Sequence, residues 1–156
     1  MAGTLVRLLC VGRLKTPFWR EAAAHYQGRL GRWRRVEVAE VRDGDAALPP
    51  ARRSAQEGQR RLEALSRETA AVALDETGET LDSPGLATLL RRFDEAGRRP
   101  CFVVGGPFGL APEVRAACAR SVSLSPMTWP HELARVLLLE QLYRAECILR
   151  NIPYHH

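Results

Sequence analysis

Two rhythms of apolar and polar positions alternate along the chain, and each predicts its own kind of element. Thr4 to Val11 is a nearly continuous apolar run ended by Gly12, which predicts a buried strand. Pro17 opens a helix to about Leu30, stopped near Gly31, whose aromatics Phe18, Trp19 and Tyr26 fit a core or an interface. Arg34 to Val41 alternates polar and apolar, the mark of a half-exposed strand. A turn and linker from Arg42 to Pro50 leads to a helix over Ala51 to Ser66, rich in Arg, Glu and Gln, with Leu62 and Leu65 inward. Ala70 to Asp75 predicts a short buried strand ending in an acid, and Glu76 to Glu79 a turn. Ser83 is a good helix cap and Pro84 a good first residue for a helix running to Gly97. Pro100 to Val104 predicts another buried strand. A short helix from about Pro112, a strand over Ser121 to Leu124 and a long helix over His131 to Arg150 complete the chain.

Strands that alternate with helices predict an α/β class: a mostly parallel, doubly wound sheet of about five strands with helices on both faces. The chain has 156 residues, which suits one domain over 1–156. No apolar run approaches the roughly 20 residues of a membrane span. The start, Met1 to Arg7, lacks the basic and apolar regions of a signal peptide. The expectation is a soluble cytoplasmic protein with no membrane contact.

Composition adds two points. The four cysteines, Cys10, Cys101, Cys118 and Cys147, form no CxxC pair and sit at no metal-ligand spacing with histidine, so no metal is expected. The net charge of +5 is uneven: residues 1–68 carry 14 basic and 8 acidic side chains, net +6, while the remainder is net −1. All but one of the 23 basic residues are Arg, the side chain best suited to phosphate. That bias permits nucleic-acid binding, and solvated faces explain it equally well. Arg20, Arg29, Arg32, Arg34, Arg35, Arg52, Arg53, Arg60 and Arg61 are the candidates for an anionic partner.

The chemistry concentrates after Cys101. Gly105, Gly106, Pro107 and Gly109 follow a strand and precede a helix, so their backbone can approach a ligand or simply turn. The stretch fits neither a Walker loop nor a dinucleotide fingerprint. Leu124 to Pro130 carries no ionised group before His131 and holds two prolines. Such a stiff apolar loop suits a flat heterocycle such as adenine held by backbone hydrogen bonds; the plain alternative is a buried crossover. Leu74 and Asp75 end a strand, where ligands of open α/β sheets sit. His131 and Arg135 lie four apart on the last helix, as do Glu140 and Arg144. His131 also fits a plain cap or core role.

The combination of Leu74 and Asp75, the glycine turn, Leu124 and Ser125, Met127 and Thr128, Pro130 and His131, Arg135, Glu140, Tyr143 to Ala145, and Pro153 to His155 resembles the SPOUT-class ribosomal RNA large-subunit pseudouridine N3-methyltransferase family. The resemblance implies a C-terminal deep trefoil knot, a homodimer with each site near the subunit interface, and S-adenosyl-L-methionine as cofactor. It implies methylation of N3 of a pseudouridine in 23S rRNA on the assembled 70S ribosome. Carried over residue by residue, the cofactor pocket is Leu74, Gly105 and the loop Leu124, Ser125, Pro126, Met127, Thr128 and Trp129. Phe108 and Trp129 depart from the residues common at their positions. The catalytic set the resemblance implies is His131, Arg135, Tyr154 and His155: His131 as the contact that assists loss of the N3 proton, Arg135 on a uracil oxygen or a phosphate, and Tyr154 with His155 closing over the base, in their own or the partner subunit's site. The alternatives are a SPOUT methyltransferase of tRNA and a non-catalytic ribosome-binding or assembly factor that retained the knot.

Overall fold

The computed structural model describes residues 4–107 and 109–156. Elements run β1 (Thr4–Val11), α1 (Pro17–Leu30), β2 (Arg34–Val41), α2 (Pro50–Leu65), β3 (Ala71–Thr80), α3 (Ser83–Glu95), β4 (Cys101–Val104), α4 (Pro112–Ala117), β5 (Arg120–Ser123) and α5 (His131–Leu149). The strands pair in parallel in one sheet of order β2-β1-β4-β3-β5. The expected α/β class, strand number and layering hold.

Strand alternation sorts the core into two layers. On one face, Val6, Leu8, Val72, Phe102 and Val104 pack with α1, α3 and α5, where Leu138, Leu139 and Leu142 are fully buried. On the other, Leu9, Ala71, Ala73, Cys101 and Val103 meet Leu65 of α2 and Val114 of α4. Central β4 is buried at every residue, which is why its sequence reads as an unbroken apolar run. The thiols of Cys10, Cys101 and Cys147 are buried and free. Burial pushes Cys10 up to about 11 and Cys101 up to about 12, so both stay protonated core groups.

Four sequence expectations are corrected. Arg34 is 1% exposed. It donates to both oxygens of Asp94 at 3.0 and 2.6 Å and to Glu146 at 2.6 Å, tying β2 to α3 and α5. It is structural and unavailable to a phosphate; removing one member of such a buried set costs about 3–5 kcal/mol. Arg61 is also 1% exposed and buried against the sheet. The cap of α3 is Asp82, whose carboxylate accepts from Gly85 N–H at 2.7 Å. Ser83 instead donates to Gln141 at 2.6 Å.

The fourth correction shapes the site. β3 does not stop at Asp75. Leu74 pairs with Val122 of β5, residues 75–78 swing out, and Glu79 and Thr80 rejoin β5 at Val122 and Ser123. Gly78 permits the return, because a Cβ there would lie 2.7 Å from the Ser121 carbonyl carbon. A wide bulge of this kind re-aims side chains beside a strand end.

Candidate active site

The C-terminal ends of β3, β4 and β5 open onto a cavity of about 820 Å³. Its walls are Leu74 to Thr77, Val104 to Pro107 with Gly109, Arg115 of α4, and Leu124, Ser125 and Met127 to His131. Of the eight cofactor candidates, Leu74, Gly105, Leu124, Ser125, Met127, Thr128 and Trp129 line it; Pro126 is exposed and does not. His131 lines it from the first turn of α5, beside Ala134. Phe108 lies outside the described residues.

The glycine turn is tight. Gly109 N–H donates to Gly106 O at 3.0 Å, and Gly109 has φ +72°, which favours glycine. A Cβ on Gly105 would stand 3.3 Å from the Gly109 Cα, so the two strands of the turn touch through bare backbone. Backbone at this spacing can lie close to a ligand, as an S-adenosylmethionine sugar and methionyl chain require. Across the cavity, Ser123 Oγ donates to Ser125 O at 2.8 Å and Met127 N–H to Ser125 Oγ at 3.0 Å. Thr128 Oγ1 donates to Glu76 Oε2 at 2.6 Å, joining the loop to the β3 excursion.

Sequence reasoning placed Asp75 at the site's strand end but missed Glu76 and Arg115. The 124–130 loop is uncharged, yet Asp75, Glu76 and Arg115 line the space from elsewhere. Asp75 pairs with Arg115 at 3.3 Å and accepts from the Thr77 N–H at 2.8 Å and hydroxyl at 2.6 Å. Burial pushes the Asp75 carboxyl up, but the two Thr77 hydrogen bonds and the Arg115 charge outweigh it and hold it below its ordinary value. Thr77 and Gly78 were the available signal for an excursion.

The structure separates the catalytic candidates. Arg135 is 5% exposed and turns from the cavity to donate to Gly12 O at 2.9 Å, with Glu40 at 3.6 Å. It lines a second cavity, of about 860 Å³, with Arg13, Lys15, Arg20, Glu40 and Asp43. Sharing a helix face with His131 did not decide its direction; the carbonyl and the carboxylate did. Tyr154 and His155 lie farther off. Tyr154 OH donates to Glu140 at 3.0 Å, and Arg144 packs 4.6 Å over the Tyr154 ring with Nη1 3.4 Å from His155 Nδ1. Burial, then donation to Glu140, pushes Tyr154 up to about 12. Glu140 sits nine residues beyond His131, roughly 14 Å along the helix. Within one chain, tail and cavity do not meet.

The family profile described as Predicted SPOUT methyltransferase matches residues 5–155. The ribosomal RNA large subunit methyltransferase H of Desulfovibrio desulfuricans is 61% identical over 157 residues, covering 100% of both chains. The protein of that name from Lawsonia intracellularis is 46% identical, also over 100% of both. Among solved structures, a probable methyltransferase from Bordetella pertussis superposes with TM-score 0.59 at 19% identity, covering 92% of this chain and 94% of that one. Lpg2936 of Legionella pneumophila, solved with bound cofactor SAM, gives 0.53 at 12% identity over 92% and 66%. At these identities the two structures speak to the fold.

Proposed function

Because this chain belongs to the SPOUT methyltransferase family, we propose that it transfers a methyl group from S-adenosyl-L-methionine to N3 of a pseudouridine in large-subunit ribosomal RNA. The observation that carries the reading is the cavity: seven of the eight cofactor candidates and His131 converge on it. The large-subunit rRNA target is supported by relatives of that name matched over the full chain.

S-adenosylmethionine supplies an electrophilic methyl on a sulfonium, and the rest of the work falls to the chain. The glycine turn and the Leu124–Trp129 loop hold the cofactor by backbone, with Leu74 as an apolar wall for adenine. Holding both reactants in line is a large part of what the protein contributes. With the cofactor bound there, N3 of the base would take its methyl carbon, leaving the sulfonium as the neutral thioether. The N3 proton leaves, and His131 at the cavity edge is placed to accept it or stabilise the nitrogen anion. Arg135 is held by the Gly12 carbonyl and Glu40 and so braces the end of β1 against α5, while the exposed Arg13, Lys15 and Arg20 around the second cavity serve the RNA phosphates.

The separation of Tyr154 and His155 from His131 supports a homodimer in which each tail closes over its partner's cavity. The trefoil knot belongs to the same reading: the chain leaves edge strand β5 through the 124–130 loop and must return for α5 to pack with α1 and α3. The base must be unstacked or flipped to reach the cavity.

The test is incubation of the protein with methyl-labelled cofactor and, separately, 70S ribosomes, free subunits and tRNA. Label at one pseudouridine of large-subunit rRNA, greatest on 70S particles, is the expected result. Label on tRNA alone, or binding to ribosomes with no label transferred, overturns it.

A further inference from the structure

We propose that Arg61 is a positioning residue for the cofactor side of the cavity, holding both ends of the glycine turn from behind the sheet. This rests on the reading of that cavity as an S-adenosylmethionine site.

Arg61 rises from α2 and is buried at 1% exposure. Its Nη2 donates to Val104 O at 3.1 Å and its Nη1 to Gly109 O at 3.2 Å. Those two residues bracket the turn, so one guanidinium joins the exit from β4 to the start of the return. The planar fork fits two fixed acceptors, which a lysine cannot match. The chain has no cis peptide among the described residues. In a trans peptide the carbonyl and the following N–H point in opposite directions. With the Val104 carbonyl drawn to Arg61, the Gly105 N–H is turned the other way, and Gly105 lines the cavity.

Gly106 packs directly on the same group. A Cβ there would lie 3.4 Å from Glu57 Oε2 and 3.5 Å from Arg61 Nη2. Glu57, one helical turn before Arg61 and 2% exposed, supplies the counter-charge while accepting from Gly44 N–H at 3.0 Å. The arrangement is expensive: Arg61 Nε is buried with no hydrogen-bond partner among the described residues. An aliphatic side chain would fill the space between α2 and the sheet at lower cost. It could not hold two carbonyls.

The experiment compares wild type, Arg61→Met and Arg61→Lys by thermal melt, calorimetric titration with S-adenosylmethionine, and steady-state methylation of ribosomes. Arg61→Met is expected to melt cooperatively yet raise both the Kd and the KM for S-adenosylmethionine roughly ten- to a hundredfold, with the KM for ribosomes unchanged. Arg61→Lys should fall between. A purely structural Arg61 would not split the two KM values. Wild type that fails to bind S-adenosylmethionine overturns the cofactor reading and this proposal with it. Wild type that binds, beside a folded Arg61→Met with unchanged Kd and KM, overturns only the role of Arg61. If Arg61→Met does not melt cooperatively, Arg61→Lys decides by the same split.

Discussion

His131 stands where Pro130 ends the loop and α5 begins, so its ring reaches the cavity from a rigid element. Replacing it with alanine is expected to lower single-turnover methylation about 10²- to 10⁴-fold, with S-adenosylmethionine affinity measured separately and unchanged. A wild-type rate would remove His131 from the chemistry. Asp75 carries a pH signature. A carboxylate held low in the folded state contributes stability that is present above its unfolded value, about 3.9, and lost as pH falls through the folded value. Asp75→Asn should therefore lower Tm at pH 7, and the gap should close as pH falls below the unfolded value and through the folded one. A constant gap across the range would refute the assignment. At this scale the cavity-lining residues were legible because they sit at strand ends, where topology gathers ligands. The arginines were not. Arg34 and Arg35 are neighbours of one type, yet one is buried and the other exposed. Carboxylates 60 and 112 positions away decide it.

The excursion of β3 is the element on which the cavity's polar wall depends. Gly78→Ala sets a methyl against the Ser121 and Val122 backbone at 2.7 to 2.9 Å. The expected loss is about 1–3 kcal/mol, read as a lower denaturant midpoint with unchanged slope. No shift would mean that β5 yields freely. Local sequence reported a turn at Glu76 to Glu79, where β3 instead runs on through a bulge. It could not report the return to β5, because the identity of a pairing partner is not a local property. The cap of α3 shows a smaller version of the same limit. Asp82 and Ser83 are both capping residues, and Gln141 on α5 draws Ser83 away.

For the whole molecule, the distance from tail to cavity makes a stoichiometric prediction. Mix equal amounts of His131→Ala subunits and Tyr154→Phe/His155→Ala subunits, each inactive alone, under conditions that exchange partners. A heterodimer then joins one intact cavity to one intact tail, and activity should recover to about a quarter of wild type. No recovery, with exchange demonstrated, would place tail and cavity in the same chain. Element order, strand number and layering were all readable from the alternation of apolar runs. The split of the basic residues between two cavities and the buried core was not, since charge along a sequence does not say which face closes.

The hydrogen bond from Thr128 to Glu76 joins two exposed side chains, and it is the tie between the loop and the β3 excursion. A bond so open to water adds little to local stability. The loop should open far below the free energy of global unfolding, giving a small molecule a route in and out while the sheet stays shut. In native-state hydrogen exchange, the amides of Met127 and Thr128 should trade early and that of Val103 last. Thr128→Val should speed only the first group. Protection of Met127 equal to that of Val103 would mean the cavity opens only when the whole protein does.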